Sequence, residues 1–199
     1  MTLYKNKYRV EPARLYGYDY SSPGLYFVTI CTKNRVHYFG NIIPVETPNL
    51  GVSVPHHSED VVPGGTPNLG VSNPLCSIPT FKIQLSEIGQ IADTYWNEIP
   101  EHFPNVKLDA FQIMPDHIHG IIQIMNTDKS CLPKNIGLII NQFKRICTIK
   151  SQNAGLEFAL QPRFYDHIIR DEGELQRIRN YIENNPQNWM KDKFNIDCP

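Results

Sequence analysis

VKLDAFQIM at 106–114, the pair Pro115-Asp116, then HIHGIIQIM at 117–125: two runs of strand composition are separated by two residues. β-Branched and aromatic side chains favour strands in both runs, and so short a spacer predicts antiparallel neighbours. Pro-Asp is not the Asn-Gly type that tight two-residue hairpins favour. Side chains alternate along a strand, so His117 and His119 share one face. Ile118, Ile122 and Ile124 take the opposite, core face, with Gly120 between them. Two imidazoles side by side are a ready pair of ligands for a divalent cation. Taken alone, His-x-His also describes two polar residues on a solvated strand face, and that plainer reading is the commoner one.

Working outward, GLYFVTICT at 24–32 reads as another strand between Ser21-Ser22-Pro23 and Lys33-Asn34-Arg35, and a short apolar stretch follows at Val36–Ile43. SEIGQIADTYWNEI at 86–99 is an amphipathic helix. Ile88, Ile91, Ala92, Tyr95, Trp96 and Ile99 make its buried stripe, Ser86 caps its start and Pro100 stops it. Residues 135–152 form a second helix with Ile136, Ile139, Ile140, Phe143, Ile146 and Cys147 inward, ended by Gly155. Residues 158–169 read as extended. A last helix starts at Asp171, capped with Glu174 three residues on, and is expected to run to Asn185, where Pro186 forbids continuation. Helices interleaved with strands around an antiparallel central pair predict an α+β sandwich, ferredoxin-like in outline.

Residues 44–80 differ in kind. They hold seven of the sixteen prolines and an identical repeat, TPNLGVS at 47–53 and again at 66–72. One duplicated unit is too little for a solenoid. The proline density argues against a helix or a central strand. This segment is read as an irregular insertion in an otherwise single domain spanning 1–199.

A second chemical element is Tyr181 and Asn185 in RNYIENNP, four residues apart and so on one helix face. Alone they read as a core-edge aromatic and a helix-terminal amide. Together with the rest of the chain they carry a resemblance. YFVTICTKNRVHYFG (26–40), WNEIPEHFPNVKLDAF (96–111), MPDHIHGIIQI (114–124), QFKR (142–145), QPRFYDHIIRD (161–171) and RIRNYIENNPQNW (177–189) together are similar to the REP-associated tyrosine transposases, single-tyrosine members of the HUH class. The similarity covers nearly the whole chain, in order, outside 44–80. Its most specific parts are P-x-H-I-H-G and, about sixty residues later, Y-I-x-x-N-P. Asp116 stands where Asn or Glu is often seen, and the insertion is unusual for the family.

The resemblance implies an HUH endonuclease fold and metal-dependent cleavage and rejoining of single-stranded DNA at hairpins or palindromic repeats. It implies Tyr181 as the nucleophile of a covalent 5′-phosphotyrosine intermediate. His117, His119 and Asn185 would be the ligands of Mg²⁺ or Mn²⁺. Free tyrosine has a pKa of ~10, so its phenolate is scarce at neutral pH. A cation would offset charge on the phosphate and the leaving oxygen. Lys33, Arg35, Lys144, Arg145, Arg163, Arg170, Arg177 and Arg179 are the candidate phosphate contacts. Tyr165 is a rival nucleophile, and with Asp166 and His167 is read as structural or DNA-contacting. His102 and the pair His56-His57 read as loop residues. Two other functions stay open: a nucleic-acid-binding module that does not cut, and a hydrolase using His117, His119 and Asp116.

Bulk numbers set outer limits. The chain has 199 residues, 41% hydrophobic and 20% charged, as in ordinary globular proteins. Net charge is −1, but unevenly spread. Residues 1–39 hold six Lys/Arg against two Asp/Glu, 40–128 two against ten, and 129–199 eleven against eight. A basic surface built from the two ends of the chain is compatible with that pattern. Five cysteines without a C-x-x-C spacing argue against thiolate zinc and a disulfide framework. The basic, aromatic N-terminus has no apolar h-region, and no run reaches the ~20 residues of a membrane span. A cytoplasmic, nucleoid-associated bacterial protein with no membrane partner is expected, and a homodimer is compatible with the sequence.

Overall fold

Alternation decides the sheet. In 24–31, Tyr26, Val28 and Ile30 are fully buried, while the odd residues between them are only partly covered. A computed structural model describes residues 3–4, 7–8, 15, 17–45, 80–125 and 135–193. Its elements, in order, are β1 (Leu3–Tyr4), β2 (Lys7–Tyr8), β3 (Gly24–Cys31), a 3₁₀ turn (Lys33–Arg35), β4 (Gly40–Val45), β5 (Thr80–Leu85), α1 (Glu87–Asn97), α2 (Ile99–His102), β6 (Val106–Ile113), β7 (His117–Ile124), α3 (Ile136–Asn153), β8 (Tyr165–Ile169), α4 (Glu172–Glu183) and α5 (Asn185–Lys193). The architecture is the expected α+β sandwich.

The main sheet has the order β6-β7-β3-β8, antiparallel throughout. The quoted stretch is its β6–β7 hairpin, with Gln112 opposite His119 and Ile113 opposite Ile118. Between Leu108 and Phe111 the register slips, so that Asp109 and Ala110 form a bulge. The Pro115-Asp116 turn is held from β3: the Thr32 amide and hydroxyl both donate to the Asp116 carbonyl, at 2.9 and 3.0 Å.

One face of the sheet packs against α1 and α3. Tyr26, Val28, Ile30, Ile118, Ile122 and Ile124 meet Ala92, Trp96, Ile139, Ile140 and Phe143 there. Gly120 belongs to this face for a steric reason: a Cβ on it would lie 2.2 Å from the Trp96 ring. The other face takes α4, whose Leu175, Ile178 and Ile182 cover Ile121, Ile169, Leu25 and Phe27. Helix caps follow the sequence. Ser86, Asn135 and Asp171 accept from the amides of Gly89, Leu138 and Glu174 at 3.0, 2.8 and 2.8 Å. Gly155, at φ +73°, follows α3.

Two features depart from expectation. Residues 80–85 are a strand, paired with β4 so that Val45 faces Thr80. Pro44 is accommodated there because a two-stranded ribbon is all edge. Residues 46–79, most of the expected insertion, lie outside the described residues. Pro100 and Pro186 do not end helical structure; each sits in the first turn of a new helix, α2 and α5, where the missing N–H costs nothing. Among the described residues, no helix is long and apolar enough to cross a membrane.

Candidate functional site

Register brings the chemistry together. On β3, Cys31 lies opposite His117 and Thr29 opposite His119, while Thr29 also faces Tyr165 across the β3–β8 pair. His119, Thr29 and Tyr165 therefore form one row across three strands, all on the face that α4 only partly covers. Phe27, two residues along, stacks on His119 with ring centroids 5.4 Å apart.

Helix α4 brings Tyr181 over this row. Ile178 and Ile182 are inward, and Tyr181 beside them is 48% exposed. Its hydroxyl lies 3.3 Å from His119 Nε2, and its ring stands edge-on to Phe27. The helix is fixed at both ends of its contact with the sheet. Arg179 makes a bidentate pair with Asp109 at the β6 bulge, at 2.8 and 2.7 Å. Glu174 accepts from the Arg170 amide at 2.9 Å and pairs with His167 at 2.8 Å. The Arg179 hydrogen bonds hold the Asp109 carboxyl below its usual range.

Asn185 is buried and opens α5. One turn later, on the same face, Trp189 packs its ring 5.7 Å from His117 and 5.7 Å from His37. The chain thus wraps the histidine pair from three sides: β3 laterally, α4 through Tyr181, α5 through Trp189.

His117 and His119 are not solvated; they are 7% and 5% exposed, with rings 4.5 Å apart. Each has its Nδ1 committed. His117 Nδ1 meets Asp116 Oδ1 at 2.6 Å, and His119 Nδ1 shares a hydrogen bond with Thr29 Oγ1 at 2.9 Å. In both rings Nδ1 thus meets an oxygen partner, the arrangement by which an outer partner orients a ligating imidazole. Burial, then the charges of His117 and Arg35, push His119 down to about 3 against the opposing Asp116, so it is neutral at pH 7. Burial works to raise Asp116, but the His117 hydrogen bond and the charges of His117, Arg35 and His37 outweigh it and its carboxyl is held low. The donor set, two imidazoles on one strand face with the buried amide of Asn185 opening α5, is of the mixed nitrogen and oxygen kind that suits a divalent cation of the Mn²⁺ or Mg²⁺ type. Among the described residues, no three His, Cys, Asp or Glu side chains gather as a metal site. Asp116 serves as the outer partner of His117.

The basic candidates separate into groups. Lys33 and Arg35 are exposed at the end of β3 beside the histidines. Arg35 has left-handed backbone, φ 56°, and its guanidinium is 3.7 Å from Asp116. Arg163 is exposed on the segment that the Thr32–Leu160 bridge brings to this same end. Arg170 and Arg177 are exposed toward the opposite end of β8. Arg179 is committed to Asp109. Lys144 is buried, its ammonium donating to the carbonyls of Gln161, Pro162 and Arg163, while Arg145 is exposed beside it. Asp166 is buried on the core face, opposite Val28. His102 closes α2, and His56-His57 lie outside the described residues. Sequence reading missed Phe27, Thr29 and Trp189. The odd-residue face of β3 could have flagged the first two; Trp189 had no signal once the helix was expected to stop before Pro186.

No family model matches the chain. Among solved structures, it resembles a REP-associated tyrosine transposase bound to a REP hairpin, with TM-score 0.50 and 16% identity over 95% of this chain and 74% of that one. The likeness is one of fold: an α+β sandwich with a central antiparallel sheet flanked by helices. A solved protein structure from Deinococcus radiodurans aligns over 86% of this chain and 95% of its own at TM-score 0.37 and 14% identity. An uncharacterized protein of Haemophilus influenzae is 32% identical over 201 aligned positions, 92% of each chain. At that identity and coverage, the chain belongs to the same family as the Haemophilus influenzae protein.

Proposed function

We propose that the chain binds folded single-stranded DNA, a hairpin with unpaired flanks, on the histidine face of its sheet. Support comes from the shared fold with a transposase bound to a REP hairpin and from exposed Lys33, Arg35 and Arg163 at the same end of the sheet.

The finer reading is that it also cuts and rejoins that DNA. The observation carrying it is the Tyr181 hydroxyl 3.3 Å from Nε2 of a buried, neutral His119, with His117 alongside. In this reading His117, His119 and Asn185 hold Mg²⁺ or Mn²⁺, which supplies charge stabilisation at the phosphate when bound. Asp116 and Thr29 orient the imidazoles. Phe27 and Trp189 shield them from water, and half-exposed Tyr181 remains open to a phosphate. A Tyr181 oxygen–phosphorus bond forms as the bond from phosphorus to the 3′ oxygen breaks; the phenol loses a proton and the 3′ oxygen gains one. The linkage keeps its phosphodiester character, so the 3′ hydroxyl can reverse the step.

Support for binding runs further than support for cutting. Among the described residues no three His, Cys, Asp or Glu side chains are grouped so as to hold a metal ion, which favours a structure-selective binding module that does not cut. The test is denaturing electrophoresis of the protein with end-labelled hairpin DNA and Mn²⁺ or Mg²⁺. Label migrating with protein supports the enzyme; retention on native gels without it leaves the binding module.

A further inference from the structure

Cover over the active face is uneven. At the Leu25 and Phe27 rows, α4 lays down Leu175, Ile178 and Ile182. At the Thr29 row that cover stops, and two tyrosines stand nearly half exposed, Tyr165 at 47% and Tyr181 at 48%. Phe27 links them, its ring 6.3 Å from each. Tyr181 is engaged with His119. Tyr165 has Phe27 as its ring neighbour, and among the described residues β8 is an edge strand paired only with β3. A large, half-exposed aromatic on an edge strand, two residues from exposed Arg163, combines a π surface with a cationic group. That combination suits an unpaired base and its phosphate.

We propose that Tyr165, backed by Phe27, is a stacking surface for an unpaired nucleobase of the DNA strand that passes the Tyr181 hydroxyl. This rests on the binding reading above and names the part of the DNA that the edge of the site contacts. A base held there would set which nucleotide's phosphate lies near Tyr181. Duplex bases, already stacked on both sides, offer Tyr165 no free π surface. The edge therefore selects the junction between the hairpin and its single-stranded flank.

The experiment uses the full chain in chelator, so that no strand is cut. Two hairpins with the same stem are compared, one blunt and one with a single-stranded extension carrying 2-aminopurine at each position in turn. Tyr165→Ala should weaken the extended hairpin roughly 5- to 150-fold, the range of one lost base stack, with the blunt hairpin bound as before. Tyr165→Phe should retain affinity for both. One 2-aminopurine position should be quenched by the wild type and by Tyr165→Phe, and recover its fluorescence with Tyr165→Ala. Equal loss on both hairpins, or no loss with quenching intact, would overturn the stacking surface while leaving DNA binding in place. A wild-type chain that retains neither hairpin would overturn the binding reading, and the stacking surface with it.

Discussion

The Tyr181 hydroxyl meets His119 Nε2 at 3.3 Å, although 62 residues separate them in the chain. Tyr165, on the same sheet face, has its ring 6.3 Å from that of Phe27. Tyr181→Phe should keep the ring contacts with Phe27 and His119, the melting temperature and hairpin binding, yet give no covalent protein–DNA species. Tyr165→Phe should still yield the adduct. Labelled protein from Tyr181→Phe on a denaturing gel would reassign the nucleophile.

The outer partners of the imidazoles give a second prediction. Asp116→Asn and Thr29→Val each disturb one Nδ1 hydrogen bond while leaving both rings in place. Loss of such partners typically weakens a metal site roughly 10- to 100-fold. Trp189, 5.7 Å from His117, is a built-in reporter: titration with Mn²⁺ should quench its fluorescence. The midpoint should move to higher Mn²⁺ in both variants, with melting little changed. Midpoints identical to the wild type would remove the outer partners from the site.

Gly120 tests the packing beneath the histidines. Its missing side chain lets Trp96 lie against β7, and a Cβ would approach the ring to 2.2 Å. Gly120→Ala should destabilise the protein by about 1–3 kcal/mol, the usual cost of overpacking, read by denaturant unfolding. A paired Trp96→Phe change should recover part of the loss, because the smaller ring withdraws from the contact.

A pH dependence follows from the link between α4 and the β6 bulge. Arg179 holds the native Asp109 carboxyl below its unfolded value. The stability from this pair is complete above the ordinary carboxylate range, and it is lost as pH falls through the lowered native value. Asp109→Asn should therefore melt lower than wild type at neutral pH, and the difference should close in acid. A constant difference across that range would mean the pair acts by packing alone.

Much of this was legible in the sequence because it depends on local periodicity. Alternation in 117–125 placed both histidines on one face, and the 3.6-residue stripes located α1, α3 and α4. The four-residue spacing of Tyr181 and Asn185 suggested that they work together. In the structure they fall on either side of a break, Tyr181 in α4 and Asn185 opening α5. Less legible were contacts set by register between distant strands. Thr29 becomes a partner of His119 through the β3–β7 pairing, and Asp109, in the β6 bulge, meets Arg179 across 70 residues of chain. Proline misled twice: Pro186 was read as a stop, although at a first turn it starts a helix as readily as it ends one. That error hid Trp189.

The last prediction concerns 46–79. Val45 and Thr80 are directly paired at the open end of the β4–β5 ribbon, so two residues can close it. Asn-Gly suits such a closure, since both turn positions take positive φ. The ribbon itself is anchored elsewhere, by Gln187 of α5 donating to the Phe81 carbonyl at 3.0 Å. Replacing 46–79 by Asn-Gly should leave the melting transition and Mn²⁺ quenching of Trp189 near wild type. Replacing 40–85 by a Gly/Ser link removes the ribbon as well, and with it the contact that holds α5. That variant should lose Mn²⁺ quenching at concentrations where the shorter deletion keeps it. Aggregation of the 46–79 variant would show instead that this segment belongs to the core. Equal quenching in both variants would separate the ribbon from the histidine site.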